Sequence, residues 1–253
     1  MKKSLVLLTT ILTMFVLIIS SHTAVSVNAY STIYTNDPGL YQTFDSMIQQ
    51  MQATGSFVIP TRDGTQASII YAKFRLYFLG QLPYRYRYMY TRNGFTVTPQ
   101  ASLEQLRAEC ANHYTAKAIV DAFAAETSTL SYEDKVNFYT NYLCTYVAYD
   151  HVGLAAEKQG LGMASRSVYS LFSTQTGVCE AYARAFYALC AASGIQVRYV
   201  EGYSGGPHAW NEIFIPDSGN GTVPGWYEYD ITYQDSGLNA VKRPITYNNQ
   251  GGV

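Results

Sequence analysis

Three residues of this 253-residue chain have types and an order that could do chemistry: Cys179, His208 and Asp230. Cys179 follows Gly177-Val178 and opens a run, to about Ser193, whose spacing reads as a helix stopped by Gly194. A thiol at a helix N-terminus faces unpaired backbone N–H groups and the positive end of the helix dipole. Both favour the thiolate, which is the nucleophilic form. Gly177 would let a substrate backbone approach. His208 opens an alternating run, His208 to Ile215, and shares one face of it with Trp210 and Glu212. A third run, Trp226 to Ile231, carries Asp230. If it pairs with the His208 run across the turn-rich stretch 216–225, Asp230 returns to His208. It can then orient the imidazole and leave one ring nitrogen for the thiol. Glu228 shares Asp230's face and is its rival.

Each residue also has a plainer reading. Cys179 is structural or a disulfide partner of Cys110 or Cys144, His208 a satisfied polar group, and Asp230 a turn cap. Cys190 is excluded as a partner, because on one helix it lies roughly 16 Å from Cys179 along the axis, beyond disulfide reach. It reads as a small core residue. His22 precedes the mature chain, while His113 and His151 read as surface or structural.

The elements that must position these groups are legible in part. Asp37-Pro38 reads as a helix start, followed by Leu40, Phe44, Met47, Ile48 and Met51 at helical spacing, with Gly55 as the stop. Ser68 to Leu79 is strongly apolar and fits a helix or a strand, with its length favouring the helix. Tyr84 to Tyr90 alternates as a strand, and Asn93-Gly94 turns it into Phe95-Thr96-Val97. Its four tyrosines would share one face, either a packed sheet face or, less expected, a carbohydrate-stacking one. Ser102 with Gln105 is a capping box for a long helix. Ser131 with Asp134 starts another, with Val136, Tyr139, Leu143, Tyr146 and Val147 as its stripe. If these two helices pair antiparallel about Thr127, Cys110 and Cys144 lie level. A bridge between them and two buried thiols both remain open. Val168 to Phe172 is a short apolar piece, and Ile195 to Tyr199 a strand.

Residues 1–29 read as a secretory leader: Lys2-Lys3, an apolar stretch Leu5–Ile19, and Val27-Asn28-Ala29 before a cut at Tyr30. The expected mature protein is exported, with no membrane attachment after cleavage. A net charge of −1 and scattered basic residues argue against a nucleic-acid partner. Organisation divides into 30–130, mostly helical with a hairpin, and a core at 131–245. The implied fold class is α+β, a helical half bearing Cys179 packed on an antiparallel sheet bearing His208 and Asp230.

The stretches GVCEAYARAFYALCAASGIQVRYVEGY, HAWNEIFI and WYEYDITYQD resemble the transglutaminase-like superfamily, within the papain-like cysteine enzymes. The upstream YLCTYVAYD is similar to the helix end that precedes the core in bacterial secreted members. The resemblance spans roughly residues 131–235 and implies Cys179 as nucleophile, His208 as general base and Asp230 as its orienting acid. It further implies acyl transfer through a thioester to an amine or to water, on a protein or peptide substrate at the cell surface or cell wall. Beside the Cys179 N–H, Gln175 or Tyr169 is the expected second oxyanion donor. Members often carry tryptophan soon after the aspartate, where this chain has Thr232-Tyr233-Gln234-Asp235. No metal or organic cofactor is expected, and no calcium-loop pattern appears. The competing reading is a non-catalytic interaction module on the same fold.

Overall fold

The computed structural model describes residues 32–204, 206–217, 223–232 and 243–244. The leader with its cleavage site, and Tyr233 to Asp235, lie outside them. Strand β1 (Thr32–Thr35) precedes a 3-10 turn at Pro38–Leu40 and helix α1 (Tyr41–Thr54). Asp37 does not cap this start as expected; its carboxylate is drawn instead to Lys73 Nζ at 2.6 Å. The predicted stripe holds, with Phe44, Met47, Ile48 and Met51 buried and Gly55 closing the helix at a φ of 78°. Helix α2 (Gly64–Tyr77) begins earlier than the apolar run suggests, because Asp63 accepts from the Gln66 N–H and caps it.

Strands β2 (Phe57–Ile59), β3 (Tyr86–Thr91) and β4 (Gly94–Pro99) form a sheet in the order β2-β4-β3. The Asn93-Gly94 hairpin is therefore present. The tyrosine face is not packed as expected: Tyr84, Tyr86, Tyr88 and Tyr90 are all exposed, Tyr90 by 59%. The reason is topological. β3 is an edge of the sheet, where Tyr71 of α2 meets Tyr86 and Tyr88 edge-on.

Helix α3 (Leu103–Glu126) opens on the predicted capping box, in which the Ser102 hydroxyl and Gln105 amide satisfy each other's backbone N–H. Helix α4 (Tyr132–Tyr146) is capped by Ser131. The two meet near their connection, where Phe123 contacts Tyr139 and Tyr142, and then diverge. Cys110 ends in the N-terminal core against the Ile48 carbonyl, and Cys144 against the Ile231 carbonyl. The level antiparallel pair is thus not formed, and no disulfide links any of the four cysteines. Tyr146, placed in the α4 stripe by spacing, is exposed at the helix end.

After β5 (Ala148–Tyr149) come α5 (His151–Lys158), α6 (Val168–Thr174), β6 (Thr176–Gly177) and α7 (Cys179–Ala192). Helix α7 is apolar nearly all round and central. Its alanines at 181, 183 and 185 are buried and let neighbours approach closely. Strands β7 (Val197–Tyr203), β8 (Pro207–Ile215), β9 (Gly225–Tyr229) and β10 (Arg243–Pro244) complete an antiparallel sheet ordered β1-β7-β8-β9-β10. Phe186 of α7 stacks on Tyr229 at 5.1 Å, and Asn211 Nδ2 donates to the Ala183 carbonyl, joining helix to sheet. The class is α+β, as expected. Among the described residues no helix is long and apolar enough to cross a membrane.

Candidate active site

The pairing β8–β9 decides which carboxylate meets His208. In its register Asn211 faces Tyr229 and Glu212 faces Glu228, so Glu228 stands opposite a residue four positions along β8 from His208. Asp230, just past β9, puts Oδ2 at 2.6 Å from His208 Nε2. Its Oδ1 accepts from the Thr232 N–H at 3.0 Å and the Thr232 hydroxyl at 2.6 Å. Thr232 thus anchors the carboxylate while Trp210, stacked on the imidazole at 5.8 Å, covers it from the same strand. Asp230 is 3% exposed.

With Nε2 engaged by Asp230, Nδ1 is left for Cys179, and the thiol and imidazole are hydrogen-bonded. Burial pulls His208 toward the neutral form. Hydrogen bonds to Asp230 and Cys179, and their charges, outweigh that and push it up to about 10. Burial likewise opposes ionisation of the Cys179 thiol. Its hydrogen bond to His208, that ring's charge, the Ala209 N–H and the Tyr149 hydroxyl bring it below the ordinary thiol value. The direction of both shifts is that of a thiolate–imidazolium pair. Cys190, by contrast, is driven well above its usual range by burial alone, consistent with its expected role in packing.

Helix α7 starts with no side-chain cap: Val178 offers none. The Cys179 backbone N–H is met instead by the Tyr149 hydroxyl, which also donates to the Cys179 sulfur. Sequence reading passed over Tyr149, although it lies in the quoted YLCTYVAYD. Two short strands bring it there. β5 runs parallel to β6 with Tyr149 opposite Gly177, fixed by Ala148 N–H to the Gln175 carbonyl and Asp150 N–H to the Gly177 carbonyl. Asp150 then caps α5 and binds the Ser165 N–H, closing the segment under the site.

The two residues expected as oxyanion donors are placed otherwise. Gln175 is exposed at the end of α6 with a left-handed φ of 54°, and its carbonyl is taken by Ala148. Tyr169 is half-buried in α6 against the core, its N–H on the Leu79 carbonyl. The hydroxyl that reaches Cys179 is that of Tyr149. Gly177 also has a packing reason. A Cβ there would sit 2.8 Å from Ala181 Cβ, so glycine is needed for β6 to pack on α7.

Glu180, next to the thiol, points the other way into an arginine cluster. Arg166 Nη1 lies 3.3 Å, Arg75 Nη2 3.6 Å and Arg184 Nη1 3.8 Å from its carboxylate. This neutralises a negative charge that would otherwise oppose the neighbouring thiolate. Spacing alone carried no signal for it, because Arg75 comes from α2 and Arg166 from the connection before α6.

A helix-borne thiol thus stands bonded to a strand histidine that is held by a carboxylate, on an α+β frame. More narrowly, residues 117–231 match the family model of the transglutaminase-like superfamily, and over that stretch the chain carries a transglutaminase-like domain. No curated protein matches the chain. Among solved structures, a "Putative Cysteine Protease from Cytophaga hutchinsonii" is 23% identical, over 46% of this chain and 37% of its own, with a TM-score of 0.33. The periplasmic domain of TgpA from Pseudomonas aeruginosa is 19% identical over 56% of this chain and 54% of its own, with a TM-score of 0.37. A structure described as a TGase is 14% identical over 87% of this chain and 54% of its own, with a TM-score of 0.35. The chain thus spans about half, or less, of the length of the solved structures it matches.

Proposed function

We propose that the protein is an exported cysteine-dependent acyltransferase or amidohydrolase acting on protein or peptide amides. The observation that carries this is the continuous hydrogen-bonded series Tyr149–Cys179–His208–Asp230. The Cys179 thiolate attacks the amide carbonyl carbon, forming a C–S bond while the carbonyl electron pair moves to oxygen. The Cys179 N–H, released from the Tyr149 oxygen, and the Tyr149 hydroxyl, released from the sulfur, receive that oxyanion. As the tetrahedral adduct collapses, the His208 imidazolium gives its Nδ1 proton to the departing nitrogen and the C–N bond breaks. A thioester and a free amine result. An incoming amine or water loses its proton to His208, attacks the thioester carbonyl, and restores the thiolate as the C–S bond breaks. Asp230 holds the ring's orientation and its charge throughout.

Export follows in this proposal from residues 1–29, and the substrate is then met outside the cytoplasm. Product analysis tests the reaction. The mature protein is incubated with glutamine-bearing peptides, with and without a primary amine. Ammonia release with amine incorporation identifies transglutamination, ammonia alone deamidation, and chain fragments peptide hydrolysis. A Cys179→Ala variant that leaves every product unchanged, with Cys179 alkylated no faster than a free model thiol, rejects the proposal in favour of an interaction module.

A further inference from the structure

The function proposed above makes no use of the tyrosine strand. Every residue from Tyr84 to Tyr90 is exposed. β3 pairs with β4 on one side and, among the described residues, with no strand on the other. The register shows which main-chain groups that free edge presents. The Gln100 N–H donates to the Arg85 carbonyl at 2.8 Å, so Arg85 turns its main chain toward β4. Bonded and unbonded pairs alternate along an antiparallel ladder. Arg87 and Met89 therefore turn inward with Arg85, and the N–H and C=O groups of Tyr86, Tyr88 and Tyr90 point out from the sheet. Pro99 lies opposite Tyr86 and has no N–H to offer, which agrees with that alternation.

The side chains along this edge are one-sided in charge. Between Asp63 and Glu104 the chain has five basic residues and no acidic one. Two of the five are matched, Lys73 by Asp37 at 2.6 Å and Arg75 by Glu180 at 3.6 Å. Arg85 and Arg87 are exposed and form no ion pair with a described residue. They share one face of β3, and Tyr86, Tyr88 and Tyr90 share the other. A strand added to this edge sets its side chains directly opposite these, on the same two faces. Acidic residues then meet the arginines, and apolar residues meet the tyrosines. A second copy of this chain fits badly, because two β3 strands side by side crowd the arginines of both copies onto one face with no carboxylate among them.

We propose that the free edge of β3 binds an extended acidic segment of a partner protein, which adds to the sheet as a strand of alternating apolar and acidic residues. The test follows fluorescence anisotropy of a fluorescein-labelled peptide, Thr-Val-Glu-Val-Glu-Val-Thr, as the mature chain is added. Saturable binding is expected. The same peptide with lysine at both glutamate positions should bind about tenfold or more weakly. Methylating the valine nitrogens removes the N–H groups that face the tyrosines and should also weaken binding by about tenfold or more. Arg85→Glu combined with Arg87→Glu, both at exposed positions, should reverse the preference toward the lysine peptide. No saturable binding, equal affinity for the two charge forms, or indifference to N-methylation overturns the proposal. So does a chain that ignores the peptide but binds phosphatidylglycerol vesicles or self-associates through β3. No turnover enters this readout, so it stands or falls apart from the acyl-transfer reading.

Discussion

The thiol of Cys179 and the imidazole of His208 titrate as a pair, and their shifts set the pH behaviour of the proposed reaction. Activity should rise as Cys179 ionises, below the ordinary thiol value, and fall as His208 loses its proton near pH 10. In Asp230→Asn the basic limb of the kcat/KM profile should move from about 10 toward the ordinary histidine value. The rate at neutral pH should drop by about 10²–10⁴-fold, since base and orientation suffer together. Stability carries the same sign. His208 holds its proton more tightly folded than unfolded, so its contribution is fully present below the unfolded value of 6.5. It is lost as pH rises through about 10. Denaturant midpoints across that window should decline less in His208→Gln than in the native chain. Tyr149→Phe removes one of the two proposed oxyanion donors and should lower kcat by about 10²–10³-fold with little change in KM. A matched loss in kcat and binding would instead make Tyr149 part of the fold's support. Iodoacetamide at neutral pH should modify Cys179 ahead of Cys110 and Cys190, whose ionisation is opposed by burial.

Two short elements control where those groups stand. The parallel contact of β5 with β6 is only two residues long, yet it places Tyr149 beside Gly177 and so beside the start of α7. Gly177→Ala should disturb it, because the added Cβ meets Ala181 Cβ at 2.8 Å and Leu171 Cδ1 at 3.3 Å. Overpacking of this kind costs typically about 1–3 kcal/mol. The expected result is a lower denaturant midpoint together with slower alkylation of Cys179. An unchanged alkylation rate would show that the thiol does not depend on β6. The capping box of α3, by contrast, was fully legible, because Ser102 and Gln105 satisfy backbone groups within four residues of each other.

Across the molecule, two apolar cores share α2 and α3: one adds α1 and the small sheet, the other α4, α6, α7 and the larger sheet. Arg184 ties them. From the middle of α7 it donates to the carbonyls of Arg75 and Phe78 from the N-terminal region and of Arg166 before α6. β1 adds a second tie by pairing with β7. Arg184→Met keeps the bulk but strands these carbonyls. It should lower stability by at least about 1.5–3 kcal/mol, read as a shift in urea midpoint without loss of helical signal. A neutral effect would mean the regions are held by apolar contact alone.

Local patterns in the sequence carry much of this: the helix that begins at Cys179 and stops at Gly194, the strand that offers His208, the capped starts of α3 and α4, and the order Cys, His, Asp. Such signals act over a few residues, through hydrogen bonds and side-chain period, so they survive in one dimension. The choice of Asp230 over Glu228 did not, since both share a face and only the β8–β9 register separates them. Nor did the arrival of Tyr149 at the sulfur, the three arginines around Glu180, the exposure of the tyrosine strand, or the burial of His113. Each depends on which segments, far apart in the chain, are packed together. Packing answers to the summed fit of whole surfaces, which no short stretch of residues encodes.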